Sequence, residues 1–436
     1  MAPGALRRLL GVTTLIGVRV AGAVIAGGLA VYVARVHGAE FSGTFFVLVS
    51  TLTILSVLTR LGAEPYLTEQ IAHRDGRDRS DASYLASTAW AVLAMLLGAG
   101  ALLLALEIIA PEVSERLLGG LDLPLLLCAV LGLNLLWLTT AYCRAKGAAG
   151  LSIFLETSVW SIWLWAVLVV SELAGRTPDT TAVAVGVALM VPTFLLLLLP
   201  TFVRSRENPL RPRGFREAIS GVTAFGALTV TNGIFALIPL QLLGWYGLTE
   251  EAGVYNAALR VSMIIGASGV IIKSIVVRQA VHGEGLDPDA RRAHVRHTCW
   301  LALPWLAISL LIAWQGDLLS ALFGSEFGQI ESIVLIILIA QSINVACFYL
   351  ETRAVLAGQR RLLNITSATL LVLSLGLSPI LVAQYGLTGA AWAFAIPIVT
   401  SRLQLAWLYL RSPATPAAGA EAGDTTEDRL ESEELT

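Results

Sequence analysis

Charged side chains are scarce inside the long apolar stretches of this 436-residue chain, and those few are the residues that could do chemistry. Arg19, Arg260 and Lys273 each fall within an apolar run. A charge at mid-bilayer costs at least about 2.5–3.5 kcal/mol, so a cation held there is a functional candidate. Cations in a low-dielectric cavity suit an anionic ligand, which they hold by charge-assisted hydrogen bonds. The competing reading is snorkelling, in which a long aliphatic stem carries the charge to the interface. Snorkelling is the expected behaviour of Arg35, Arg60 and Arg402, which stand within reach of a head-group region. Two acids also lie at depth, Glu64 and Glu156. Either could bind a coupling proton or cation if buried, or serve as the buried partner of an arginine. Asn232, Gln241 and Asn256 are candidates to meet ligand hydroxyls, or to form interhelical hydrogen bonds worth about 0.6 kcal/mol each.

Other constellations carry less. His282, His294 and His297 fall in one basic loop with Arg291, Arg292 and Arg296, which would repel a metal cation and suit anionic lipid instead. Cys128, Cys143, Cys299 and Cys347 lie in or beside apolar runs, with no metal-like spacing. No cofactor and no metal are expected.

The elements that position these residues are apolar and long. The chain is 56% hydrophobic and 14% charged, against roughly 25% charged in a soluble domain. A helix crosses about 30 Å of hydrocarbon with roughly 20 apolar residues. About twelve stretches meet that length: 11–35, 42–63, 82–110, 121–143, 151–173, 180–203, 218–246, 253–281, 298–315, 331–352, 362–384 and 386–411. Backbone polar groups in lipid must pair internally, so the expected fold is all-α and membrane-spanning. The run after Arg7 and Arg8 continues to residue 35, too long for a signal h-region, and reads as a retained first span.

Loop charges alternate along the chain. About twenty Lys/Arg fall on one side and about three on the other, which holds Glu40, Glu112, Asp179, Glu250 and Glu326. The positive-inside rule then places both termini in the cytoplasm. The stretch from Ser412 is acidic and poor in apolar residues, and is expected to be a disordered tail.

The halves resemble each other at an offset of about 205–210 residues. Glu40, Gly43 and Phe45 recur as Glu250, Gly253 and Tyr255, at the same spacing between two spans. Asn134 and Arg144 recur as Asn344 and Arg353. Six spans per half give both copies one orientation, hence a parallel repeat about an axis along the membrane normal. The expected organisation is a six-helix bundle over 1–203, a cytoplasmic basic linker over 204–217, a second six-helix bundle over 218–411 and the tail 412–436. Two such bundles meeting at a seam suit alternating access.

Several motifs carry a family resemblance. The segment Ala34-Arg35-Val36-His37-Gly38-Ala39-Glu40-Phe41-Ser42-Gly43-Thr44-Phe45, with Arg60-Leu61-Gly62-Ala63 and Ile71-Ala72, resembles the opening of O-antigen flippases of the Wzx-like type. Leu322-Phe323-Gly324-Ser325-Glu326-Phe327 is similar to a loop common in the same proteins. These belong to the multidrug/oligosaccharidyl-lipid/polysaccharide exporter superfamily, and the resemblance spans residues 10 to 411. One departure is Thr68-Glu69, where the family often has an arginine. The resemblance implies a bacterial inner-membrane flippase for a polyprenyl-(pyro)phosphate-linked oligosaccharide, working in polysaccharide biosynthesis beside glycan polymerase or ligase machinery. It also implies that spans 1 and 8 line a central seam, where Arg19, Arg260, Lys273, Asn232 and Asn256 would meet the pyrophosphate and sugars.

Two other classes compete. A multidrug-cation antiporter of the same superfamily would need buried acids free to bind cations. A membrane-embedded glycosyltransferase or polymerase would need paired carboxylates in a sizeable external loop, and these loops are short. No phosphate-cradling nucleotide loop is present, and no nucleic-acid partner is expected.

Overall fold

The computed structural model describes residues 3–72, 81–118, 120–175, 178–205, 214–281, 291–356 and 359–411. The tail from 412, His282 and most of the basic linker fall outside these residues. The described fold is a bundle of apolar helices, which satisfy their own backbone groups in hydrocarbon.

Helix α1 (Pro3–Arg60) is interrupted at Gly38, where φ is 83° and ψ is 176°. That backbone is open to glycine and strained for other residues. The chain folds back there. Gly22 on the first arm lies against Thr157 and Ser158, and Arg60 at the end of the second arm lies within electrostatic reach of Glu156. Both arms thus pass the π-helical level of residues 156–158, and a bend replaces the expected loop over 36–41. Helix α2 (Ala63–Ala72) starts after Leu61, which holds φ 43°. Span 42–63 thus stops at Arg60, and Glu64 opens a separate helix.

The first half continues through α3 (Asp81–Ile109), α4 (Pro111–Leu118) and α5 (Leu123–Ala145). Span 151–173 is α6 (Ala149–Phe154), a π-helical turn (Leu155–Val159) and α7 (Trp160–Leu173). Span 180–203 is α8 (Thr180–Ala188) and α9 (Met190–Ser205).

In the second half, span 218–246 is broken into α10 (Phe215–Ala224), α11 (Gly226–Ile234) and α12 (Ile238–Trp245). There follow α13 (Thr249–Val281), α14 (Arg291–Trp314), α15 (Gly316–Phe323), α16 (Ile330–Leu356) and α17 (Arg360–Arg411). Helix α17 bends at Gly386, where φ is 51°, and Gly389 then packs on the Leu381 carbonyl.

Eight helices among the described residues are long and apolar enough to cross a membrane. Two of them, Gly17–Arg60 and Arg361–Arg411, are 44 and 51 residues long and each fold back at a glycine. With those divided, and with α13 and the broken α10–α12 added, the number of crossings matches the twelve expected from sequence.

Two details depart from the sequence reading. His294 and His297 belong to α14 and not to a loop. His294 is buried, with Nδ1 3.0 Å from the Tyr409 hydroxyl, because the helix begins before its apolar run and packs its polar first turns on α17. Helix α10 packs on the first half: Ala218 and Val222 share a core with Tyr66, Leu67 and Tyr84. The Gly62 N–H donates to the Val222 carbonyl at 3.1 Å. Helices α11 and α12 pack on α17 and, across the seam, on the second arm of α1. The break at Phe225 is where the chain passes from α2 and α3 to the groove between α1 and α17.

The halves meet where the repeat motifs meet. A side chain on Gly43 would collide with the Thr249 carbonyl, and one on Gly253 with the Ala39 carbonyl. Each of these carbonyls belongs to the residue four before the opposite glycine. Such reciprocity is what a two-fold relation between two copies produces, and it runs between Gly43 and Gly253.

Candidate functional site

The seam lies between α13 and the second arm of α1. One turn inward from Gly43, Phe46 is fully buried and presents its ring to α13. The Arg260 guanidinium carbon stands 5.4 Å from the centre of that ring. Its Nη1 approaches only the Met263 sulfur, at 3.7 Å. Its Nε is buried and has no hydrogen-bond partner, and no carboxylate pairs with it among the described residues. Asn256 precedes it by four residues, so the two side chains share one helix face. Asn256 is 4% exposed, and its Nδ2 is also without a partner. Unmet donors at depth are costly, and an anion carrying acceptor oxygens would satisfy both.

The other expected ligand residues do not converge on this pair. Arg260 follows Gly253 by seven residues, about 10 Å along a helix of 1.5 Å rise. Arg19 precedes Gly38 by nineteen, about 28 Å by the same rise. Arg19 is half-buried near the level of Thr157, at the opposite margin of the bundle. Lys273 is placed on α13 about 30 Å from Gly253, at that same margin. Asn232 lies on α11. The side chains of Lys273 and Asn232 are outside the described residues. Gln241 is engaged between the halves: its Nε2 donates to the Val47 carbonyl at 2.9 Å, and lies 2.6 Å from Ser50 Oγ and 2.8 Å from Thr51 Oγ1.

Glu64 and Glu156 are brought together around one cation. Arg60 is 3% exposed and forms an ion pair with Glu64, one turn on. Its guanidinium carbon stands 4.7 Å from the centre of the Trp137 ring. Glu156, on the π-helical turn, accepts from Arg144 Nη2 at 2.8 Å and remains within electrostatic reach of Arg60. The snorkelling expected of Arg60 is therefore corrected, because two acids and an arene make burial tolerable. Arg402 is likewise inside the bundle, with Nε 2.7 Å from Asn344 Oδ1 and Nη1 3.1 Å from Glu351. Arg35 is exposed, as expected.

Phe46, Trp137 and Arg144 escaped the sequence reading as partners of Arg260, Arg60 and Glu156. Only Phe46 carried a usable signal, since it follows the close-approach glycine of its repeat by one turn.

No protein-family model matches this chain, and no curated protein does. Solved structures do. The chain is similar to the lipid II flippase MurJ in its inward closed conformation, with TM-score 0.69 and 14% identity over 90% of this chain and 86% of that one. It is similar to a MATE multidrug-resistance transporter of the MOP superfamily in an outward-facing conformation, with TM-score 0.57 and 17% identity over 91% and 94%. A eukaryotic MATE transporter, AtDTX14, gives TM-score 0.56 and 14% identity over 94% and 97%. At these identities the likeness is one of fold. The architecture shared with them is a transmembrane bundle of apolar helices, a multi-pass membrane fold.

Proposed function

We propose that this protein is a flippase that moves a polyprenyl-(pyro)phosphate-linked oligosaccharide across the bacterial cytoplasmic membrane by alternating access. It performs no covalent chemistry. One observation carries the reading: Arg260 is a seam cation without an acid among the described residues, its Nε buried and unpaired, beside an Asn256 amide without an acceptor. A phosphate or pyrophosphate matches both by charge and by geometry. The head group binds at this pair, the sugars follow it into the seam, and the polyprenyl chain stays in lipid. A fold shared with a protein described as a lipid II flippase can host a lipid-borne substrate, although fold alone does not assign one.

The cation-antiporter alternative needs a depth carboxylate free to take a cation. Glu64 and Glu156 each have an arginine partner instead. In this reading the basic loops and both termini face the cytoplasm, and the glycan polymerase or ligase machinery takes the product on the far side.

The test is made in cells. Deletion of the gene should leave lipid-linked oligosaccharide on the cytoplasmic leaflet, protected from an externally added glycosidase. Unchanged surface exposure of the glycan in the deletion strain would end the proposal.

A further inference from the structure

Three helices of the second half gather cations that the seam site does not use. Gly386 divides α17 into arms over 360–385 and 387–411, so its two ends return to one side of the bundle. The start of α14 and the end of α16 join them there. His294 on α14 has its ring 5.9 Å from that of Tyr349 on α16, and its Nδ1 3.0 Å from the Tyr409 hydroxyl on α17. The Arg353 guanidinium carbon lies 5.4 Å from the Tyr349 ring centre, and Arg291 and Arg353 both stand within electrostatic reach of Tyr409. Arg292, Arg296, Arg361 and Arg411 are exposed around this centre. None of these four pairs with an acid among the described residues. The helix ends 291–297, 353–356, 359–363 and 405–411 hold seven arginines and no Asp or Glu. Glu351, two residues before Arg353, pairs with Arg402.

Helix α14 begins well before its apolar run. Residues 291–297 precede that run and extend about 10 Å at 1.5 Å rise per residue. A head-group layer is only about 5–8 Å deep on each side of the hydrocarbon. Lipid phosphate in that layer therefore meets the inner part of the face and leaves Arg291 and Arg292 beyond it. A polyanion held in water on a tether meets all of it. The chain carries one. After Arg411 come nine uncharged residues, 412–420, and then seven acids between Glu421 and Glu434 against the single Arg429. Ten residues of chain span at most about 36 Å, and neighbouring helix axes stand about 8–10 Å apart, so the acids reach every one of these helix ends. The tether supplies them at about millimolar effective concentration. We propose that the acidic segment 421–434 docks on the arginine face made by the ends of α14, α16 and α17, and holds that face against anionic lipid. Several exposed ion pairs form together, each worth about 0–1 kcal/mol, so the docking is reversible and salt-sensitive. It does not depend on the transport reading.

The experiment uses the full chain in phosphatidylcholine nanodiscs, with the four cysteines replaced. Spin labels are placed at Ser432→Cys in the acidic segment and at Val355→Cys, an exposed position beside Arg353 on α16. Pulsed electron resonance reads the distance between them. A short distance population should dominate at about 0.01 M salt. It should be lost at about 1 M, where the screening length has fallen from about 30 Å to about 3 Å. Arg292→Gln, Arg296→Gln, Arg361→Gln and Arg411→Gln combined should abolish it at low salt. Should that variant fail to fold, Glu427→Gln, Glu431→Gln, Glu433→Gln and Glu434→Gln combined decide alone, since they leave the helical bundle untouched and should abolish it too. Wild-type distributions in folded variants of either kind overturn the docking. So does a wild type whose Ser432 label stays distant at low salt; a preference for added phosphatidylglycerol that the arginine variant loses would then assign the face to lipid.

Discussion

Arg260 on α13 and Phe46 on α1 meet across the seam, guanidinium carbon to ring centre at 5.4 Å, so one half holds the cation and the other holds it in place. The arene face occupies one side of the guanidinium and leaves its edge N–H groups for a ligand. A desolvated cation–π contact contributes about 0.5–2 kcal/mol. Phe46→Leu should therefore weaken binding of a polyprenyl pyrophosphate by roughly two- to thirtyfold. Arg260→Lys should lose more than its retained charge suggests, because the ammonium lacks the planar fork. Isothermal titration with a short-chain analogue measures both.

Removing Arg60 should damage the fold more than the site. Its loss leaves Glu64 buried without its cation, and breaking such a pair costs about 3–5 kcal/mol. Arg60→Met with Glu64→Leu should recover much of that loss, since an apolar pair has no charge to desolvate. Thermal stability of the detergent-purified variants, followed by size-exclusion fluorescence, separates the single change from the double.

The repeat places Asn134 and Asn344 equivalently, yet their partners differ. Asn134 accepts from Ser56 Oγ at 2.7 Å and donates to Thr59 Oγ1 at 2.9 Å. Asn344 accepts from Arg402, a charge. Asn134→Ala should cost about 0.6–1.7 kcal/mol, the range for interhelical hydrogen bonds in membranes. Asn344→Ala should cost more, about 1.5–3 kcal/mol, because it takes an acceptor from a cation. Equal melting shifts would contradict the difference.

Gly38→Ala should destabilise the protein by about 1–3 kcal/mol, the cost of holding an L residue at positive φ with an extended ψ, a region open essentially to glycine. The same change at Gly98, which is helical and has no neighbour near its Cβ position, should be neutral or slightly stabilising. Paired melts of the two variants check this.

Much of the fold was legible because hydropathy and loop charge report what lipid demands of each stretch. The crossings, the reversals near Gly38 and Gly386 and the repeat at Gly43 and Gly253 all follow from local composition. What hydropathy misses is whether an apolar residue faces lipid or another helix. That is why the Leu61 break, the three pieces of span 218–246 and the docking of α10 on the first half went unread. The candidate site was legible in part. Arg260 and Asn256 stand one turn apart on a single helix, so spacing alone pairs them. Glu64 and Glu156 reach Arg60 from two separate elements while Arg144 holds Glu156 from a third, and no local pattern encodes such a meeting. Arg19 looked deep because its apolar run continues past it, whereas the bend at Gly38 fixes its depth near the far margin.

The most direct measurement is flipping in proteoliposomes. The reconstituted protein is given a fluorescent polyprenyl-pyrophosphate oligosaccharide, and arrival in the opposite leaflet is read by a membrane-impermeant quencher. The wild type should flip the lipid, while Arg260→Met, similar in length and uncharged, should retain the fold and lose at least tenfold in rate, as expected for a charged hydrogen bond of about 1.5–3 kcal/mol. Wild-type rates from folded Arg260→Met would contradict the assignment of the seam cation as the head-group site.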